Sequence, residues 1–235
     1  MSLWQYFRYE EKKDLVELAK TNLGKVWQIN EITGTEYPNL SEFNLVKGQN
    51  LESSAESIFF VRRKFGEELK YKAYGFIKIN SSRQHNFYLL AGLGCFGSPD
   101  LTLVQNSIKD LKHFWVALRM PQVSPFYVNF VSSIAKVSES NILFIDKSLL
   151  EKTFNLELHD LYLERVSEDF SINKLFAFDL TRSELFFGLK SLADDPFCFK
   201  PISPPSLHFS YIFEWLFIGV IGFFLIRFIV KARRV

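Results

Sequence analysis

Ser57-Ile-Phe-Phe-Val-Arg-Arg-Lys-Phe-Gly-Glu-Glu-Leu-Lys-Tyr-Lys-Ala-Tyr-Gly-Phe-Ile-Lys-Ile79 is the stretch that decides the fold. Two runs rich in aromatic and β-branched residues flank Gly66-Glu67, which predicts a hairpin with strands over 57–65 and 69–79. In the second run Lys70, Lys72 and Lys78 fall on one face. Leu69, Tyr71, Ala73, Ile77 and Ile79 fall on the other. A strand with one wet face belongs to an antiparallel, half-exposed sheet.

Downstream, Asn86 to Leu93 predicts a third strand. Leu101, Val104, Ile108, Leu111, Trp115 and Leu118 then recur at alternating spacings of three and four, the pattern of an amphipathic helix. Ser98-Pro99-Asp100 supplies its cap, and Pro121 its stop. Further strands are expected over 126–137, 141–145, 162–166 and 175–179, with helices over 148–153 and from Thr181 to Leu192, the latter opened by the capping box Thr181-Arg-Ser-Glu184. Upstream, Trp4 to Leu23 reads as a helix ended by Gly24. Its front turn, with Trp4 and Phe7, suits a membrane surface or a docking contact. Residues 30–55 read as a long loop with one short strand near 43–46, and such loops commonly lie on a partner. Strands in hairpins, rather than alternating singly with helices, argue an α+β fold with an antiparallel sheet and packed helices over residues 1–200.

The other end of the chain sets its location. Pro201, Pro204 and Pro205 stiffen a linker over 201–210. Residues 211–230 are then almost wholly apolar, and twenty helical residues span about 30 Å, the thickness of a bilayer core. A single transmembrane helix is expected, followed by a basic tail over 231–235. Tyr211 and Trp215 suit the headgroup level, and Arg227 can snorkel to the basic end. Glu214 sits at the headgroup boundary or faces protein.

Lys231, Arg233 and Arg234 against a linker without Lys or Arg place the tail on the cytosol, matrix or stroma side. The opening residues lack the apolar region of a secretory leader, which favours leaving the head on the side of synthesis. Between the two, the tail-anchored arrangement has the edge, because five residues cross more easily than two hundred.

Composition bounds the function. A net charge of +2 gives no electrostatic case for nucleic acid. The 26 Phe suit a packed core plus apolar contact surfaces. Two cysteines, Cys95 and Cys198, exclude a disulfide framework, and leave a single bridge open. His85, His113, His159 and His208 lack metal-ligand spacing, so no metal site is expected, and His113 reads as a solvated position on the long helix. Gly92-Leu-Gly94-Cys-Phe-Gly97 formally matches a dinucleotide-binding fingerprint. Pro99 after the third glycine, and no acid about twenty residues on, set it apart from that motif. Arg62-Arg63-Lys64 reads as charge guarding a sheet edge.

The expectation is a non-enzymatic accessory or assembly subunit of a membrane complex, in an organelle's energy-converting membrane, mitochondrial before plastid. Its partners would be the lipid bilayer and other membrane subunits, with no cofactor. Glu214, Trp215, Arg227, Lys231, Arg233, Arg234, Trp4 and Phe7 would make the contacts. The competing expectation is a membrane-tethered nucleotide binder or enzyme using Gly92, Gly94 and Gly97.

Overall fold

The computed structural model describes residues 2–33, 40–48, 55–65, 68–79, 87–109, 113–121, 142, 144–178 and 197–232. The strands β1 (Val26–Gln28), β2 (Leu45–Gly48), β3 (Ala55–Phe65), β4 (Glu68–Ile79), β5 (Phe87–Phe96), β6 (His113–Arg119) and β7 (Glu157–Val166) form one sheet. Their order across it is β1-β2-β6-β7-β5-β4-β3. The helices are α1 (Ser2–Asn22), α2 (Ile29–Thr33), α3 (Leu101–Lys109), α4 (Lys147–Phe154), α5 (Ile172–Phe176) and α6 (Pro205–Ala232).

The fold is α+β. The expected hairpin is present, with Phe59 opposite Tyr74 and Phe65 opposite Glu68. The sheet is mixed rather than purely antiparallel, because β1 pairs with β2 and β5 with β7 in parallel. β3 ends the order of the described strands, where Arg62 is exposed and the neighbouring Val61 forms a parallel bridge with Ile142.

Neither face of β4 is wet through its middle. Ala73 through Ile77 are all buried, and so is Lys72. Residues pointing to one face, among them Ala73, Ile77, Leu89, Ala91, Leu93, Trp115 and Leu163, pack with Ile29 and Ile32 of α2 and Val104 of α3. Alternate residues Tyr74, Phe76, Tyr88 and Leu90 face the other way, where Leu150 and Phe154 of α4 cover them. The phenylalanines build this layer. Phe59 lies 5.4 Å from Phe76 and 5.3 Å from Phe154 between ring centroids. A third cluster joins Val16 and Ala19 of α1 to Phe43, Val116, Val166, Leu175, Phe176 and Phe199. With helices on both sides, a lysine at an apparently wet position ends up inside.

The long helix expected over 101–118 stops at Lys109, and residues 113–119 form β6, an interior strand. Trp115 fits the helical spacing, yet it is fully buried on β6 and donates through Nε1 to the Gly92 carbonyl at 2.9 Å. His113 is 2 % exposed on the same strand, not solvated on a helix. Residues 172–176 are helical where the sequence predicts a strand from Leu175. The region 30–55 carries α2 and β2 besides undescribed residues. α4 forms as expected, with Asp146 accepting from the Leu149 amide at 3.0 Å. The expected strand over 126–137 and helix over 181–192 lie outside the described residues, as does part of 141–145.

Gly48 shows how tightly β2 is packed. A Cβ there would meet Ile29 Cγ2 at 2.8 Å and the Trp115 ring at 3.0 Å. Gly48→Ala is expected to cost about 1–3 kcal/mol of stability by overpacking, measured by urea unfolding.

α6 begins at Pro205, inside the expected linker. Proline suits a helix's first turn, where its missing N–H has no partner to lose. The expected span at 211–230 is helical throughout. Among the described residues, no helix is long and apolar enough to cross a membrane.

Candidate functional site

The head's most unusual chemistry lies at the root of α6, in residues 197–204. Cys198 is bridged to Cys95 of β5, with Cα atoms 5.8 Å apart. Cys198 adopts φ 48, the left-handed region that costs a non-glycine residue energy. Two contacts besides the bridge hold the segment in place. Its carbonyl accepts from Lys72 Nζ at 3.1 Å, and the Ile202 amide donates to the Leu175 carbonyl at 2.7 Å. The neighbouring Phe199 is buried against Phe170, ring centroids 5.1 Å apart.

Beneath this segment lie buried charges. Lys72 donates to Glu164, and both side chains are 5 % exposed or less. Lys72 also lies opposite Cys95 in the β4–β5 register. Next along β7, Arg165 donates to the Leu93 carbonyl and sets its guanidinium 4.9 Å from the Phe197 ring centre. Burial pushes the Arg165 pKa down to about 10. Burial likewise raises the Tyr74 and Tyr162 phenols, Tyr162 to about 12. Taking charges out of water is costly unless each is matched. Here the match is made in part by the chain segment that leads into α6, so the polar interior and the helix root form one unit.

The glycines of the formal fingerprint serve the same packing. Gly92 and Gly94 lie within β5, not in a turn. A Cβ on Gly92 would meet the Arg165 backbone nitrogen at 3.4 Å. Gly94, at φ 141, has the Arg165 guanidinium 3.3 Å from that position. Gly97 follows the strand and opens to solvent. No group of His, Cys, Asp or Glu able to hold a metal occurs among the described residues.

The expected contact residues are spread along two helices. Trp4 is 55 % exposed and Phe7 62 % exposed on α1, with the Arg8 guanidinium 5.7 Å from the Trp4 ring. On α6, Trp215 and Arg227 are exposed, and Glu214 is half-buried. The side chains of Lys231, Arg233 and Arg234 lie outside the described residues. α1 packs against α6. Sequence reading misses the Lys72–Glu164 pair and leaves the bridge open, because both join residues about a hundred positions apart. The one available signal is a lysine interrupting an otherwise buried-looking strand.

A scan against protein-family models and a search of curated proteins found no match to this chain.

Proposed function

We propose that this chain is a single-span accessory or assembly subunit of a membrane complex, acting through structural contacts rather than catalysis. The observation that carries this reading is the fixed root of α6. A bridge, a buried ion pair and a packed phenylalanine hold the start of an apolar helix rigidly to the head. Such a joint transmits position between a membrane helix and the domain above it.

The membrane part of the reading rests on α6 itself. Its side chains from Trp215 to Ile229 are apolar but for Arg227, and nearly all are exposed. The helix from Phe213 to Ile229 is about 25 Å long, and Tyr211, Ile212 and Val230 extend this to about 30 Å. Water is a poor solvent for that surface, whereas lipid and neighbouring helices are good ones.

The head occupies the oxidising side in this reading. Bridges persist in oxidising compartments and are rare in the cytosol. The basic tail independently favours the cytosol, matrix or stroma side for the C-terminus. Together they outweigh the argument for a tail-anchored arrangement. An energy-converting organelle membrane, mitochondrial before plastid, is the proposed setting.

Alkaline carbonate should leave the chain in the membrane pellet. After mild detergent it should migrate in a particle well above its own 27.5 kDa plus a micelle. Release by carbonate would overturn the membrane reading, and migration as a free monomer the subunit reading.

A further inference from the structure

We infer that the first two turns of α1 form a second, shorter membrane foot that inserts into the head-side leaflet beside α6. This rests on the membrane reading of α6 given above.

The geometry is set by where α1 is anchored. Val16 and Ala19 are buried in the cluster that also contains Phe199, with Ile202 packed against it. That end of α1 is therefore level with the root of α6. α1 also packs against α6. From Val16 back to Leu3 is about 20 Å of helix. An equal distance along α6 from Pro205 ends near Ile218, well inside the apolar segment.

The side chains of α1 change character along its length. Arg8, Glu10, Glu11 and Lys13 lie nearer the head, and they are joined in the pairs Arg8–Glu11 and Lys13–Glu10. Beyond them, Leu3, Trp4, Tyr6 and Phe7 are 49–66 % exposed. Leu3, Trp4, Tyr6 and Phe7 thus form an exposed apolar end beyond a paired, charged stretch, the division that an interfacial helix shows. α1 packs against α6, whose exposed apolar side chains the membrane reading places in lipid, so lipid is the occupant assigned to the neighbouring exposed end of α1. Gln5 is the buried member of these turns, at 9 % exposure.

The test places a photoreactive benzophenone side chain at Phe7, at Phe217 or at Val26 in the full chain, reconstituted in phosphatidylcholine vesicles. Val26 is 45 % exposed on the edge strand β1 of the head and serves as the reference. Lipid adducts at Phe7 are expected within about twofold of those at Phe217, and about fivefold or more above Val26. Adducts at Phe217 with none at Phe7 would overturn the foot and leave the α6 reading standing. Adducts at neither would overturn both. Crosslinks from Phe7 to a second copy of the chain in place of lipid would show that the surface is a protein interface, and would overturn the lipid assignment.

Discussion

Glu164→Leu is expected to destabilise the head by about 3–5 kcal/mol, because it leaves the Lys72 ammonium buried without its carboxylate. The Cys198 carbonyl would remain as an acceptor, but a neutral oxygen does not replace a charge. Lys72→Met should cost a similar amount by stranding Glu164. Making both changes removes the desolvation cost along with the attraction, so the double variant should recover most of the loss. Urea unfolding of the detergent-solubilised chain, followed by tryptophan fluorescence, checks this, since Trp115 is fully buried in the head. A loss in the double variant equal to the sum of the two single losses would show that the pair is not coupled.

The second large effect belongs to the bridge. Cys95 and Cys198 are 103 residues apart, and closing a loop of that length restricts the unfolded chain substantially. Replacing both by serine should cost about 2–4 kcal/mol. The loss should be local before it is global. Residues 197–204 would keep the Lys72 contact and the Phe199 packing, but they would open more often, loosening α6 from the head. Hydrogen exchange at Ile202, whose amide donates to Leu175, reads that opening directly. Exchange at Ile202 that accelerates more than exchange in β5 is the expected pattern. Unchanged exchange at both would mean that the bridge does not secure the root. Adding a reductant to the unaltered chain should reproduce the double-serine result.

Much of this architecture is legible in the chain because local signals agree. The hairpin around Gly66-Glu67 is marked by aromatic and β-branched runs, and α1 by its periodicity and Gly24. The departure at 101–118 has a physical cause. Phe114-Trp115-Val116 is a strand-forming run, but it falls in phase with the helical spacing that starts at Leu101. A short apolar run carries both periods, and position in the sheet decides between them. Lys72 departs from its expected wet face for a related reason. Alternation says which residues share a face, not what covers that face, and the covering helices come from elsewhere in the chain. The site at the root of α6 is illegible because it is built wholly from distant pairs. Cys95 with Cys198 and Lys72 with Glu164 have no local signature. The exposed apolar side chains of α1 and α6 can be read from their composition, but not the packing of the two helices on each other.

The sidedness of the head tests the account most directly. In sealed vesicles with the cytosolic, matrix or stromal face outward, added protease should trim only the basic tail. The head should stay intact and migrate differently with and without reductant, as a bridged domain does. Digestion of the head in sealed vesicles, together with free thiols at Cys95 and Cys198, would contradict the account.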